Sequence, residues 1–462
     1  MGFLLQFGIK FLKPTRQNMN KKLGYYTVGS KIFYSKVEAC IFATQVFKKI
    51  DPNLNIQPYQ LVKWNFNNDV FAAYDWTQEP ELSLDDLYDK RARELREKYD
   101  YIIISYSGGA DSHNVVMSFL RQGLFIDEIV ITHMHDAMKN FAQVDETNHA
   151  AKYCFESEFQ LQAKLRLFDI ANLSPKTKIT EIDTSKLVLD FFNKNNNESW
   201  VLKVREELNP IDAARYDFCK FAEIERKIDT DKKIGIILGV DKAKIRLNNL
   251  MSNHSGSEPN QQKVDIVFSD RTVNQTPISE SLAKYTNSTI EFFYWSPDAC
   301  DILCKQAHIQ KKWLQKNPIY QQFFTNSASI LRDNREVTDR VLRPILYSTW
   351  NRKWFQAEKN QLDWHAEHDD WFITGQKNTL EYSLWQSGLN FVTKNCTPFV
   401  KYYLDDPALF ADGLMRIKNF YKIGYITNSP SLDTNKKSAH ESNDRKLINI
   451  TEKDLENIIY MT

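Results

Sequence analysis

The sequence predicts an α/β protein built on a doubly wound, mainly parallel sheet, with a small α+β cap before it and a helix-rich region after it. Three observations carry this expectation. Short continuous runs of β-branched residues, Asp100–Tyr106 (DYIIISY) foremost, have the pattern of strands buried on both faces of a sheet. These runs alternate with amphipathic helical patterns, the βαβα order of parallel sheets. Beyond Ile245 the alternation gives way to mainly helical spacing.

In chain order, residues 24–36 (GYYTVGSKIFYSK) predict two short strands around Gly29-Ser30, and Val37–Lys48 a helix. Leu84–Tyr99 is a charged amphipathic helix with Leu87, Ala92 and Leu95 as its buried stripe. After the strand at 100–106 come the string SGGADS, a helix over His113–Gln122 stopped by Gly123, and a strand over Ile126–Thr132. An amphipathic segment from about Asp145 to Leu167, a strand at Lys178–Ile182, a helix from Ser185 and a strand at Ile234–Leu238 continue the alternation. Strands near Val264–Phe268 and Thr289–Tyr294 precede helical patterns from Ala299 to about Ala357. The expected organisation is a cap over 1–83, an α/β domain over 84–274, a helix-rich region over 275–428, and a flexible tail with a short terminal helix over 429–462.

The chain has 462 residues and 42% hydrophobic content, enough to bury at least one full core. Its 60 Lys and Arg against 59 Asp and Glu give a formal net charge of +1, which weighs against a dedicated polyanion binder. The six cysteines, Cys40, Cys154, Cys219, Cys300, Cys304 and Cys396, form no CxxC pair and are too sparse for a disulfide framework. The first residues have neither the order nor the length of a signal peptide, and no apolar run approaches the ~18 residues that span a bilayer. The expectation is a cytoplasmic protein without a membrane partner.

The strongest chemical signal is Ser107-Gly108-Gly109-Ala110-Asp111-Ser112, between a buried strand and a helix. Main-chain N–H groups at such a helix N-terminus form an anion site. Paired glycines let phosphate oxygens approach the backbone, and Ser107 and Ser112 can donate hydroxyl hydrogen bonds. Asp111 repels phosphate unless a cation intervenes, and Mg²⁺ is the natural bridge. The competing reading is a strand-to-helix turn whose Ser and Asp side chains cap the helix.

The full string in its strand–loop–helix setting resembles the signature of the ATP pyrophosphatase (PP-loop) superfamily, over about residues 98–245. Within it the chain is most similar to the synthetase domain of asparagine synthetase, without the glutaminase domain. That resemblance implies an adenine nucleotide alpha hydrolase-like fold and an ATP- and Mg²⁺-dependent, AMP-forming ligase: a substrate is adenylated, pyrophosphate leaves, and a nitrogen nucleophile displaces AMP. Carried over by position, Ser107, Gly108, Gly109, Ala110 and Ser112 bind ATP and its pyrophosphate, and Asp111 binds Mg²⁺. The Walker string GxxxxGK[ST] is absent, which disfavours kinase or GTPase chemistry.

Further residues join this expectation. The loop Gly239-Val240-Asp241-Lys242 ends a later strand, so Gly239 is expected at the pyrophosphate, Asp241 as a second Mg²⁺ ligand and Lys242 as a catalytic counter-charge; an ordinary surface turn is the alternative. Its spacing departs from the family's Gly-x-Gly-x-Asp-Glu form. His133 follows the second sheet strand, where the nucleotide base or ribose is expected; His133 and His135 lack a third zinc ligand nearby. Cys300, Cys304 and His308 share one helical face that either ligates a soft metal or, as buried thiols more often do, packs in the core. Lys359, in Trp354–Lys359 before His365 and His368, is a candidate catalytic phosphate contact, and a packed aromatic helix accounts for the same residues. Arg246 and Arg343 are candidate forks for phosphate or carboxylate.

The expected partners are a small-molecule substrate and an ammonia-supplying glutaminase, since residue 2 is Gly where a built-in glutaminase needs Cys. A tRNA- or DNA-modifying enzyme of the same superfamily is the alternative, disfavoured by the charge balance and the missing CxxC. A sulfonucleotide reductase-like protein needs a redox cysteine nearer the end than Cys396, and a nucleotide-binding protein without catalysis is at odds with the intact loop.

Overall fold

The computed structural model describes residues 24–50, 56–133, 163–194, 198–203, 228, 231–240, 242–248, 263–268, 288–324, 341–350, 380–400 and 421–426. Strands β1 (Tyr25–Val28) and β2 (Lys31–Phe33) form the expected hairpin, and β3 (Lys63–Asn65) joins β1 antiparallel on its other edge. Helix α1 (Lys36–Phe47) begins at Ser35, whose hydroxyl accepts from the Glu38 N–H, and it packs on this small sheet. A short helix, α2 (Asn68–Ala73), leads on toward α3 (Leu84–Lys98).

Ser83 caps α3 by accepting from the Asp86 N–H at 3.2 Å. The buried face of α3 holds the expected Leu87, Ala92 and Leu95, together with Tyr88 and Arg91. From there the chain enters the main sheet: β4 (Tyr101–Ser105), α4 (Ala110–Leu120), β5 (Glu128–His133), α5 (Lys164–Leu173), β6 (Lys178–Asp183), α6 (Ser185–Lys194) and β7 (Ile234–Leu238). Helix α4 starts three residues before the expected His113, because Gly109 already has extended, cap-like backbone angles and accepts the His113 N–H at 3.0 Å. Helix α5 runs past the expected end at Leu167, and the segment before Ala163 lies outside the described residues.

One strand was not expected from sequence, and another, expected as a strand, joins the main sheet from beyond the expected domain limit. β8 (Lys244–Asn248) falls where strand alternation was expected to stop; it pairs antiparallel with β9 (Lys263–Phe268), which β11 (Tyr421–Ile426) flanks. β10 (Thr289–Phe292) lies beyond the expected domain limit at 274, yet it pairs parallel with β7. The main sheet therefore has five parallel strands in the order β10-β7-β4-β5-β6. Helix α7 (Cys300–Lys316) packs on α3 and β8, and α8 (Leu380–Asn395) packs on the 3₁₀ turns at Glu198–Lys203, where Trp200 fills the space left by Gly388.

The strand order places the site. β4, β5 and β6 run outward on one side, then the chain returns past β4 to add β7 and β10 on the other. The crevice between the carboxyl ends of β4 and β7 is thus the topological switch point, where open α/β sheets bind ligands. The interior strands carry the burial that holds this geometry: Ile102, Ile103, Ile104, Ile236 and Ile237 are each 0% exposed. Among the described residues no helix is long and apolar enough to cross a membrane.

Candidate functional site

The loop 107–112 opens on the switch point. Tyr106 continues the strand by donating its N–H to Val130 O at 2.9 Å, and then the chain turns at Gly108, whose φ of +80° favours glycine. A Cβ there would also stand 2.6 Å from Ala163 Cβ, so the turn fits directly against the start of α5. Ser107 Oγ lies 3.1 Å from Ser112 Oγ and accepts from the Gly109 N–H at 3.3 Å, while Ser112 Oγ donates to Gly109 O at 3.1 Å. These bonds set the loop's shape before any ligand arrives. The first N–H groups of α4 have no carbonyl partner within the helix, as at every helix start, and they face the same loop.

Gly239, at the end of β7, closes the other side. A Cβ on it would lie 2.8 Å from Ser112 Cα and 3.2 Å from Asp111 O, so glycine here lets β7 touch the first turn of α4. The sequence brings Gly239 and the serine loop together as expected; the steric reason was not readable in it. Lys242 is 1% exposed, at the point where the chain leaves the parallel sheet, and the next residue, Ala243, is clamped to α7 by Gln306 and Gln310. Asp241, Lys359, His135, His365 and His368 lie outside the described residues.

Asp111 sits in the first turn of α4, with two contacts to its carboxylate. Tyr347 donates its hydroxyl to Oδ1, and Arg343 Nη2 approaches Oδ2 at 3.5 Å. Tyr294 donates to the Asp111 carbonyl at 2.9 Å and accepts from Asn114 Nδ2 at 3.0 Å. Burial, with the Asp111 charge and neighbouring tyrosines, holds the Tyr347 and Tyr294 hydroxyls well above the usual phenol range, so both remain donors. The tyrosines were not singled out in the sequence, and nothing local marks them: Tyr347 and Asp111 are 236 positions apart.

The other expected site residues separate. His133 ends β5, one strand away from the switch point, with Nε2 2.9 Å from Glu181 and Nδ1 3.9 Å from Asp183. Arg246 is paired with Asp265 at 3.5 Å across the β8–β9 ladder, away from the parallel sheet. Cys304 Sγ donates to Gln78 O at 3.3 Å and Trp76 O at 3.5 Å, and His308 Nε2 lies 3.1 Å from Trp76 O. Burial pushes the Cys300 and Cys304 thiols up to about 12, so this face is a packed one that ties the 76–78 turn to α7.

Among the described residues no three His, Cys, Asp or Glu side chains cluster so as to hold a metal by themselves. Mg²⁺ in nucleotide sites does not require that, since one or two carboxylates act with phosphate oxygens. Asp111 fits that role, because a carboxylate oxygen can accept from Tyr347 and still offer a lone pair. No family of known proteins matches the chain, and neither does any curated protein sequence.

Proposed function

We propose that this chain binds ATP at the 107–112 loop and cleaves it between the α- and β-phosphates, adenylating a substrate and releasing pyrophosphate. The observation that carries this reading is the SGGADS loop opening at the switch point of a parallel sheet, with the end of β7 packed against the same helix turn. The finer fold assignment, adenine nucleotide alpha hydrolase-like, belongs to the same proposal.

In this reading the pyrophosphate rests on the N–H groups that open α4 and on the hydroxyls of Ser107 and Ser112. The loop's own hydrogen bonds hold these groups in position beforehand, so the amides meet the charge that develops on the leaving group without reorganising, and the Ser112 hydroxyl needs only to turn its proton from Gly109 O to a phosphate oxygen. Asp111, with the phosphate oxygens, would hold Mg²⁺, which supplies charge neutralisation when bound. The absence of a Walker lysine fits α,β-cleavage better than γ-phosphoryl transfer. A nitrogen nucleophile then displaces AMP, supplied as an amine substrate, as free ammonia or by a glutaminase partner.

Incubation with ATP, Mg²⁺ and candidate carboxylic acids should release pyrophosphate and AMP. Release of ADP and orthophosphate instead sinks the proposal.

A further inference from the structure

Three buried tyrosines in mutual ring contact lie beside the first turns of α4. The ring centre of Tyr88 stands 5.8 Å from that of Tyr294 and 6.2 Å from that of Tyr347, and Tyr294 and Tyr347 are 5.9 Å apart. A buried phenol must place its hydrogen on an acceptor, and a main-chain carbonyl suffices for that. Tyr88 donates to Leu346 O at 3.0 Å and Tyr294 to Asp111 O at 2.9 Å. Tyr347, 1% exposed, donates instead to the side chain of Asp111, which keeps 16% exposure.

The backbone that carries Tyr347 is fastened independently of that bond. Ser348 Oγ donates to Asp85 at 2.8 Å, Thr349 Oγ1 donates to Asn114 Oδ1 at 3.3 Å, and the Tyr347 N–H closes a turn on Arg343 O at 3.0 Å. With the bond from Tyr88 to Leu346, these make residues 343–349 a strap across α3 and α4. The phenol is therefore a fixed donor, and burial together with the Asp111 charge keeps its proton in place. The carboxylate of an aspartate turns about a broad, loosely restrained torsion. One bond from a rigid partner to Oδ1 removes that freedom and leaves further lone pairs on both oxygens. Arg343 Nη2, on the same strap, lies 3.5 Å from Oδ2 and adds to the restraint.

We propose that Tyr347 is a positioning residue for the divalent cation: by holding the Asp111 carboxylate in one orientation through Oδ1, it presents a ready-made ligand beside the phosphate loop. This inference rests on the ATP reading above and assigns to the same site a residue 236 positions from Asp111. Hydrogen-bond partners of this kind orient the carboxylates that bind metals, and their loss costs about ten- to a hundredfold in metal affinity.

The test is calorimetric binding of inorganic pyrophosphate to the full chain, in EDTA and again at saturating Mg²⁺. Wild type should bind it more tightly with Mg²⁺. Tyr347→Phe keeps the ring and loses only the hydroxyl. In that variant the affinity in EDTA should stay within about twofold of wild type, while the gain from Mg²⁺ should fall about tenfold, or vanish where it is smaller than that. A phenol with a merely structural role would lower both affinities together or neither, and either result overturns the assignment while leaving the ATP reading intact. A wild-type protein that binds pyrophosphate equally well with and without Mg²⁺ also overturns it, with the phosphate loop still standing. A wild-type protein that binds neither ATP nor pyrophosphate overturns both readings. If the Phe variant does not fold, 4-methylphenylalanine at position 347 fills the hydroxyl's space without donating and decides the question in the same way.

Discussion

Two carboxylates of the α/β layer meet their cations in opposite ways. Glu291, on β10, is 3% exposed and accepts from Lys98 and from the Tyr99 hydroxyl, with Arg91 Nη2 3.6 Å away. Burial alone would raise its pKa, but the bonds from Lys98 and Tyr99 and the Arg91 charge outweigh it and hold the carboxyl below its ordinary range. Its partners all come from α3 and the residues just after it. Asp111 meets the phenol of Tyr347, 236 positions along the chain, and, at 3.5 Å, the guanidinium of Arg343, both on the strap of residues 343–349. The difference separates two uses of buried charge. A saturated carboxylate fastens elements together, and its removal strands its partners. A carboxylate with an unfilled valence, reachable from solvent, can take a ligand.

The largest effect should come from Glu291→Ala. It takes from Lys98 its close carboxylate and from Arg91, 3% exposed, the nearest of Glu291, Glu94 and Asp298, and breaking a buried pair in this way costs about 3–5 kcal/mol. Urea unfolding should record that loss, while pyrophosphate affinity of the folded variant stays unchanged. Asp111→Asn should do the reverse. Pyrophosphate release should fall about a hundredfold or more, while Asn still accepts from Tyr347 and stability changes by no more than about 1 kcal/mol. A stability loss in Asp111→Asn as large as that of Glu291→Ala would break the comparison.

The smallest expected effect sharpens it through pH. His113 on α4 is 3% exposed, and burial, followed by the Arg166 charge, lowers its pKa from 6.5 to about 4. The unfolded chain therefore binds a proton on His113 between these values and the folded one does not. The associated stability is complete above pH 6.5 and is lost as pH falls to about 4, on the order of 3 kcal/mol. Glu291 acts lower: its contribution is present above about 4.5 and disappears as pH falls through its depressed folded value. Denaturation midpoints of His113→Asn between pH 7 and pH 4.5 should show a smaller slope than wild type, the remainder including His308, whose pKa burial also lowers, whereas Glu291 variants should keep the wild-type slope in that window. Equal slopes in wild type and His113→Asn would remove His113 from the account.

Local signals predicted local structure well. The run DYIIISY became β4, the serine–glycine string became its loop, and the stripe Leu87, Ala92 and Leu95 became the buried face of α3. Each is decided by neighbours within one or two turns. β8 escaped because KIRLN is a short alternating run whose pairing depends on β9 and, through it, on β11. β10 looked like the start of another region because its partner β7 is separated from it by a long connection. In the site, Asp111 and the serines were recognisable as a motif, while Arg343 was visible only as a possible fork and Tyr347 not at all. Their meaning lies in a crossing of the strap over α4, and no spacing in the sequence encodes that.

The strap also fixes an order of events during synthesis. Residues 107–112 leave the ribosome just after β4 and together with the start of α4, but Tyr347 follows Asp111 only after 236 further positions. At translation rates of roughly 5–20 residues per second, that interval is on the order of ten to fifty seconds. Throughout it the nascent chain carries an Asp111 without its contacts to Tyr347 and Arg343, while Asn114 on α4 awaits Thr349 and Tyr88 on α3 awaits Leu346. The serine–glycine turn is therefore an early feature of the molecule, and its charge pairing a late one.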